Sequence, residues 1–357
     1  MNIDYLSLKA VTAQHEAEIK EAVSRVVESG WYLQGQETAA FEREYALFCG
    51  ASQCVTCANG LDALTLTLRA CIELGRLKEG DEVLVPANTY IATILSISEN
   101  RLKPVLVEPS MHNFQIDDSR LEEAITERTK ALMLVNLYGY DSFTERIGQL
   151  CKDRNLMLFV DNAQGHGLPL PAQATAVCHS FYPGKNLGAL GDAGAMTTND
   201  SLLAETFRTI CNYGSSRKYV FDCKGRNSRM DELQAAVLRV KLKYLTADNA
   251  RRREIAAIYD REIVNDKLTL PPLQGVHHIY PVLCADRDGL QDHLLRAGVH
   301  TMIHYPIPPH RQEAYAEWAG MDLPLTERIH REVLSLPCNQ TMTDDEAHYV
   351  AATVNAF

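Results

Sequence analysis

The sequence lacks an apolar run long enough to cross a lipid bilayer, and it lacks the features of a secretory signal. A membrane-spanning helix needs about 20 consecutive, mostly apolar residues, and no stretch of the 357 residues provides them. The first residues, Met1 to Asp4, contain neither the basic segment nor the apolar core of a signal peptide. We therefore expect a cytoplasmic protein that does not bind membranes.

The sequence also has fewer basic residues than acidic ones. The chain has 35 Lys and Arg against 46 Asp and Glu, which gives a formal net charge of -11 at pH 7. An acidic protein repels polyanions, so we expect no partnership with nucleic acid. A local cluster of Arg and Lys could still bind a small phosphate-bearing ligand. The contents of 46% hydrophobic and 23% charged residues are those of an ordinary globular chain, which excludes extended disorder.

The 10 cysteines do not form a metal-binding or disulfide pattern. Cys54 and Cys57 make one C-x-x-C, which could indicate a redox or metal site. A zinc site needs a second such pair or nearby histidines, and neither is present. We interpret these thiols as small buried residues of a protein in a reducing compartment, and we predict no metal.

Apolar strands alternate with helices along most of the chain. Strands are predicted at 53–58, 82–86, 104–108, 131–136, 156–161, 178–182 and 193–198, and helices at 14–29, 37–48, 60–74 and 91–100. Continuous apolar strands between helices indicate an α/β fold with a mostly parallel sheet covered on both faces. A helix over 230–245 then leads into a smaller mixed α/β region. The expected domains are residues 1–245 and residues 246–357.

Two polar features fall where ligands gather in such sheets, at the carboxyl ends of strands. The segment "CANGLDAL" places Gly60 at the start of a helix, where backbone N–H groups can hold a phosphate. An ordinary Asn-Gly turn is the alternative. Asp161 directly follows the apolar strand "LMLFV". Its carboxylate could hold a cationic ligand atom in a dry site, or it could merely cap a helix.

The third feature is Lys185 in "SFYPGKNLGALGDAG", just past a strand. A solvated loop lysine is the simpler interpretation. A desolvated lysine with a lowered pKa would instead be a nucleophilic amine. A phosphate cradle, a carboxylate for a ring nitrogen and a reactive lysine are together the requirements of pyridoxal 5'-phosphate (PLP).

The sequence resembles the DegT/DnrJ/EryC1/StrS family of nucleotide-sugar aminotransferases. The resemblance rests on ordered motifs that run from about residue 5 to the C-terminus. They are "NGLDALTLTLRA", "GDEVLVPANTYIAT", "VDNAQGHG", "SFYPGKNLGALGDAGAMTTND", "NYGSSRKY", "GRNSRMDELQAAVLRVKL" and "HYPIPPH". It implies the aspartate-aminotransferase-like fold, fold type I of the PLP enzymes, and amination of nucleotide-linked keto-sugars.

The resemblance also implies roles for particular residues. Lys185 would be the catalytic lysine that carries PLP, Asp161 would bind the pyridine nitrogen, and Gln164 would lie beside the ring hydroxyl. The remaining cofactor contacts would come from Gly60, Leu61, Tyr90, Ser180 and Asn227. Asn227 would reach the phosphate of the neighbouring subunit, which implies a homodimer with a shared active site.

The implied substrate contacts are less closely tied to the motifs. His304 and Tyr305 match a segment near the sugar, or they belong to a packed loop between domains. Arg217, Lys218 and Arg229 could contact the diphosphate through their cationic groups, or they could be surface charges. Three positions depart from the common family pattern, namely Leu61 for Thr or Ser, Asn136 for His, and Gly165 for Ala. At Leu61 one hydroxyl contact to the phosphate is lost.

The resemblance implies a transamination in two halves, with glutamate as the amino donor. The overall pattern is most similar to members that act at C3 of dTDP-linked 3-keto-6-deoxyhexoses, and a 4-keto sugar is the close alternative. A non-catalytic PLP-fold regulator would be expected to lose Lys185 or Asp161. A nicotinamide oxidoreductase would need a G-x-G-x-x-G that "CANGLDAL" does not provide. A carbon–sulfur or aldol-type PLP enzyme would not explain "GRNSR" or "HYPIPPH".

Overall fold

A computed structural model describes residues 1–272 and 274–357 of the chain. The α-helices are α1 (Leu8–Ala13), α2 (Glu16–Ser29), α3 (Gln36–Cys49), α4 (Gly60–Glu73), α5 (Ile91–Glu99), α6 (Leu121–Ala124), α7 (Glu145–Asp153), α8 (Ser201–Cys211), α9 (Glu232–Leu242), α10 (Leu245–Glu262), α11 (Arg287–Arg296), α12 (Pro324–Glu332) and α13 (Asp344–Asn355). Short 3-10 turns lie at Asp118–Arg120, Leu137–Gly139, Pro309–Arg311 and Glu313–Trp318.

The strands form one large sheet, a small sheet and a hairpin. They are β1 (Gln53–Cys57), β2 (Glu82–Pro86), β3 (Lys103–Val107), β4 (Thr129–Val135), β5 (Met157–Asp161), β6 (Ala176–Ser180), β7 (Gly194–Thr198), β8 (Ser215–Arg217), β9 (Val220–Phe221), β10 (Leu268–Thr269), β11 (Tyr280–Cys284) and β12 (Val333–Leu336). The seven-stranded sheet has the order β1-β7-β6-β5-β4-β2-β3. All its pairings are parallel except the two that β7 makes with β1 and β6. The expected α/β fold with a mostly parallel sheet is confirmed.

Both faces of this sheet are buried, because successive side chains of a strand point to opposite sides. In β2, Val83 and Val85 pack into the core on one face together with α4, α5 and α8. Leu84, between them, packs into the core on the other face, which includes residues of α6 and α7. All three side chains are fully buried. A strand buried on both sides needs an unbroken apolar run, and "EVLVP" provides one.

A second core surrounds the small antiparallel sheet β10-β11-β12. It collects side chains from α10, α11 and α13, and Ile3 from the start of the chain joins it. The Ile3 backbone N–H donates to the Gly298 carbonyl oxygen over 2.8 Å, and Ile3 pairs with Val299. The N-terminal residues therefore pack with the C-terminal part of the chain.

The helix expected over 230–245 is α9, which ends at Leu242; the chain then turns at Lys243 and Tyr244 before α10 begins at Leu245. The expected domain boundary at residue 245 coincides with the start of α10, and the division into residues 1–245 and 246–357 stays a prediction. Among the described residues, no helix combines the length and apolarity that crossing a bilayer demands.

Candidate active site

The cleft at the centre of the large sheet is built from the ends of two neighbouring strands and the start of a helix. Asp161 is the last residue of β5, Ser180 is the last residue of β6, and Gly60 is the first residue of α4. All three line a cavity of about 650 Å³, and Lys185 borders it too. This is the carboxyl edge of the parallel strands, where open α/β sheets bind ligands.

Asp161 is a buried carboxylate held by two hydrogen bonds. Its Oδ2 accepts from the Thr93 hydroxyl at 2.7 Å, and its Oδ1 accepts from the Ala163 backbone N–H at 3.1 Å. Burial raises the pKa of Asp161, whereas these two bonds and the charge of Lys185 oppose that rise. A carboxylate in such a dry site interacts strongly with a cationic partner. It can therefore keep a ring nitrogen protonated.

Lys185 follows a tight turn, in which its backbone N–H donates to the Tyr182 carbonyl oxygen at 2.8 Å. The surrounding protein removes water from its ammonium group and lowers the pKa of Lys185 from 10.5 to about 8. The charge of Asp161 acts in the opposite direction and limits this shift. Near neutral pH the neutral, nucleophilic amine is therefore far more populated than it is for a lysine with a pKa of 10.5.

The lowered pKa of Lys185 predicts how its reactivity depends on pH. Because only the neutral amine is nucleophilic, the rate at which cofactor-free protein reacts with PLP should rise with pH and level off above about 8. Competitive acetylation followed by mass spectrometry would give the midpoint for Lys185 directly. The exposed Lys152 serves as an internal control. Equal midpoints for the two lysines would contradict the expected desolvation.

The Gly60 backbone and the Ser180 side chain form a narrow cradle. A Cβ atom at Gly60 would lie only 2.5 Å from the Ser180 Cβ and 2.9 Å from its Oγ. Asn59 caps α4 by accepting a hydrogen bond from the Asp62 backbone N–H. Because the start of α4 lines the cleft, its first backbone N–H groups are available to a ligand there. His166 donates from Nε2 to the Ser180 carbonyl oxygen at 2.8 Å and fixes the end of β6. This cradle suits a phosphate group.

Replacing Gly60 by alanine should weaken cofactor binding. The added methyl group would force Ser180 away from the start of α4 and open the cradle. We expect the Kd for PLP to rise about 10- to 100-fold, equivalent to the loss of one or two charge-assisted hydrogen bonds. Equilibrium dialysis would measure this change. Gly320, where a Cβ would meet nothing within 4 Å, provides a matched alanine control.

Gln164 and two tyrosines, Tyr90 and Tyr305, also line the cleft. The Gln164 Oε1 accepts from the Tyr138 backbone N–H at 2.5 Å, and its Nε2 donates to the Tyr305 hydroxyl at 3.1 Å. The Tyr305 ring lies against the Tyr90 ring, with centroids 4.8 Å apart and planes inclined by 33°. Tyr90 is 49% exposed and faces the cleft, so its ring is available to cover a flat ligand.

His304 borders a second cavity of about 490 Å³ that also reaches Lys185, Gln164 and Tyr305. Its Nδ1 is paired with the Ser335 hydroxyl at 2.9 Å, and its backbone oxygen accepts from the Tyr138 hydroxyl at 2.7 Å. Burial, assisted by the charge of Lys185, lowers the pKa of His304 to about 4. The ring is therefore neutral at physiological pH.

Four of the residues expected to bind ligands are not among those lining these two cavities. Arg217 and Lys218 are exposed in the β8–β9 hairpin, and Asn227 is exposed where it pairs with Asn212. Arg229 lies over the Tyr213 ring, 5.5 Å from its centroid. Leu61 does line the cleft next to Gly60. The expected roles of these four residues stay predictions.

Two residues that support the site were not among the predicted site residues, although both lie within the quoted motifs. Thr93 supports Asp161, and Asn186 anchors the lysine turn. The Asn186 amide donates to the Asn249 Oδ1 at 2.8 Å and to the Val276 carbonyl at 3.0 Å, while its oxygen accepts from the His278 Nδ1. Only the position of Asn186 beside Lys185 could have suggested it from the sequence.

The described side chains fit PLP at each of its distinctive groups. The Gly60–Ser180 cradle suits the phosphate, Asp161 suits the ring nitrogen, and Lys185 supplies an amine for the aldehyde. Among the described residues, no group of three or more His, Cys, Asp or Glu could hold a metal ion. The fold and the site define a PLP-dependent enzyme.

The chain belongs to the DegT/DnrJ/EryC1/StrS aminotransferase family, whose model matches residues 13–355. It is 48% identical, over 376 aligned positions covering 99% of each chain, to the dTDP-3-amino-3,6-dideoxy-alpha-D-galactopyranose transaminase of Aneurinibacillus thermoaerophilus. The family, the PLP cofactor and the aminotransferase class expected from the sequence are confirmed.

Solved structures of similar chains have the same fold. DesV of S. venezuelae in complex with a ketimine intermediate has a TM-score of 0.95 and 40% identity, covering 99% of this chain and 98% of that one. NtdA of Bacillus subtilis with bound cofactor PMP has a TM-score of 0.92 and 30% identity, covering 100% of this chain and 86% of that one.

Proposed function

We propose that the protein transfers the amino group of glutamate to C3 of a dTDP-linked 3-keto-6-deoxyhexose. The observation that carries the reaction type is a desolvated Lys185 in the same cleft as the buried carboxylate of Asp161. The choice of sugar follows the similarity to a transaminase named for a dTDP-linked 3-amino-3,6-dideoxy sugar. A cytoplasmic location agrees with cysteines that are all free thiols in the structure.

Lys185 has the central catalytic role in this proposal. When bound, PLP supplies an electron sink that stabilises negative charge on the carbon next to the transferred amino group. The Lys185 Nζ removes the proton from the α-carbon of the donor, and later returns a proton to C3 of the sugar. An amine whose pKa is about 8 suits both directions of proton transfer near neutral pH.

The other residues of the cleft bind and orient. Asp161 would hold the proton on the ring nitrogen, and Gln164 would lie beside the ring hydroxyl. Ser180 and the backbone at Gly60 and Leu61 would bind the phosphate. The exposed side chain of Tyr90 would cover the ring face, and His304 and Tyr305 would contact the sugar.

The complete site requires a homodimer. Support comes from the exposed positions of Asn227, Arg217 and Lys218, which line neither cavity of their own chain. The hairpin that carries Arg217 and Lys218 also exposes two large aromatic side chains, Tyr219 at 82% and Phe221 at 61%. Exposed aromatic rings rimmed by polar residues are typical of protein interfaces. Asn227 would then contact the phosphate, and the Arg229 and hairpin cations the diphosphate, in the partner's cleft.

The test of the function is product analysis with paired keto-sugar nucleotides. Purified protein with PLP and glutamate should aminate a dTDP-3-keto-6-deoxyhexose, with the product identified by mass spectrometry and NMR. A 4-keto isomer, incubated in parallel, should react at least about tenfold more slowly in kcat/KM. Preference for the 4-keto isomer would change the position of amination. No amination of either sugar, with glutamate still consumed in the first half-reaction, would overturn the sugar assignment.

The dimer is tested by mass measurement and by subunit mixing. Light scattering should give twice the chain mass of 39.9 kDa. Mixed dimers of Lys185→Ala and Asn227→Ala chains contain one site with both native residues if the site is shared. At a PLP concentration that loads Asn227→Ala poorly, they should therefore be more active than either parent, and a monomeric active enzyme would contradict the shared site.

A further inference from the structure

The second cavity contains a buried cation that the proposed mechanism does not use. Arg252, on α10, lines this cavity together with Lys185, and only 2% of it is exposed. Burying a guanidinium removes it from water at considerable cost unless other groups compensate. Among the described residues, no carboxylate forms an ion pair with Arg252.

The guanidinium group of Arg252 is only partly hydrogen-bonded. One terminal nitrogen, Nη1, donates to the Cys338 carbonyl at 2.7 Å and to the His277 carbonyl at 3.2 Å. The other, Nη2, donates to the Gln340 Oε1 at 2.9 Å. The Nε is buried and has no hydrogen-bond partner among the described residues. Nη2 carries two hydrogens and donates to one acceptor. Nε and Nη2 therefore each have an N–H group without a partner among the described residues.

A pair of parallel N–H donors on one side of a guanidinium matches the two oxygens of a carboxylate. The neighbouring histidines do not compete for an anion. Burial lowers the pKa of His278 well below its ordinary value and that of His304 to about 4, so both rings are neutral. Asp4 also borders the cavity, but its side chain is exposed. Among the described residues, Arg252 and Lys185 are therefore the only arginine and lysine that line this cavity, and Arg252 is the more deeply buried.

We infer that Arg252 binds the side-chain carboxylate of the amino donor and thereby selects a dicarboxylic amino acid. This inference rests on the proposed function, because it requires a donor whose amino group reacts at Lys185. The burial of Arg252 favours a small ligand that the cavity can enclose. The diphosphate of a sugar nucleotide carries a bulky nucleoside and is less suited to so buried a contact. Arg252 is thus a specificity-determining residue of the first half-reaction.

The test compares glutamate with glutamine, which has the same shape but no side-chain charge. The first half-reaction is followed by the absorbance change of the bound cofactor in single turnovers. The wild-type protein should bind glutamate roughly 10- to 100-fold more tightly than glutamine, the range for charge-assisted hydrogen bonds. In Arg252→Gln the ratio of the Kd for glutamine to the Kd for glutamate should fall to about one, because the apparent Kd for glutamate rises. Arg253→Gln, an exposed neighbour on the same helix, should keep the wild-type preference.

The outcomes separate this inference from the function on which it rests. If glutamate leaves the wild-type absorbance unchanged, the proposed donor is wrong. If glutamate reacts and Arg252→Gln keeps the wild-type preference, the donor stands and the role of Arg252 is overturned. If Arg252→Gln loses sugar-nucleotide binding but keeps its preference for glutamate, the guanidinium binds the diphosphate. That result would also overturn the inference.

Arg252→Gln could fail to fold, because Arg252 also ties Cys338 to His277. Arg252→Lys keeps the charge but loses the paired donors, and should reduce the preference for glutamate partially. Competition on the wild-type protein needs no variant at all. Glutarate should inhibit the glutamate half-reaction at least about tenfold more strongly than butyrate, and equal inhibition by the two acids would overturn the inference.

Discussion

Lys185→Ala is expected to reduce the transamination rate by at least about 10,000-fold, the upper end of what a positioned general acid–base contributes. The substitution removes both the amine that attaches to the cofactor and the base that moves the proton. Among the described residues no other lysine lines either cavity, so no other lysine can replace it. Steady-state amino-sugar formation, measured with saturating PLP, gives the change in kcat.

The matched control for this substitution is Lys152→Ala, which removes an exposed lysine of α7. It should keep the wild-type kcat. The absorbance band of bound PLP should also change in Lys185→Ala and remain in the control. If Lys185→Ala kept more than about one per cent of the wild-type kcat, Lys185 would not be the base that transfers the proton.

Asp161→Asn should lower kcat by about 100- to 1,000-fold, the usual effect of removing one preorganised electrostatic partner. Asparagine has nearly the same shape but no charge to keep the ring nitrogen protonated. It also has one oxygen where Asp161 uses two to accept from Thr93 and Ala163. Because the charge of Asp161 raises the pKa of Lys185, this substitution should also shift the midpoint of Lys185 acetylation to lower pH.

Asp153→Asn provides the control, since Asp153 is exposed at the end of α7 and pairs only on the surface with Gln149. It should leave both kcat and the Lys185 midpoint unchanged. If Asp161→Asn retains full activity with PLP bound, then a protonated ring nitrogen is not needed for this reaction. A melting temperature measured for both variants separates loss of function from loss of folding.

The sequence predicted the strands of the large sheet closely, because each is a short apolar run bounded by turns. The predicted strand 193–198, for example, corresponds to β7 at Gly194–Thr198. Its antiparallel direction could not be predicted, since the alternation of side chains is the same in either direction. Helix α10, which begins just after α9 ends, was not predicted, because polar and charged residues dominate its sequence and obscure the apolar period of a helix.

The sequence indicated the parts of the site that lie next to the end of a strand or the start of a helix. Gly60, Asp161 and Lys185 all have such positions. The supporting contacts could not be inferred, because they join residues far apart in the chain. Thr93 is 68 positions from Asp161, and the hydrogen bonds that leave the Arg252 Nε without a partner join three separate segments. Such contacts become visible only when the chain is folded.

The cleft is lined by two parts of the chain that lie far apart in sequence, residues 161–185 and the segment around His304 and Tyr305, so that one can be changed without the other. The wall with His304 and Tyr305 is joined to the sheet by hydrogen bonds from the Tyr138 hydroxyl and the Gln164 amide. Substitutions in the segment around these two residues would leave the Gly60–Ser180 cradle, Asp161 and Lys185 in place, because none of these makes a hydrogen bond to the His304 or Tyr305 side chains. Laboratory evolution towards new sugars should therefore randomise positions 300–307 and leave positions 161–185 unchanged.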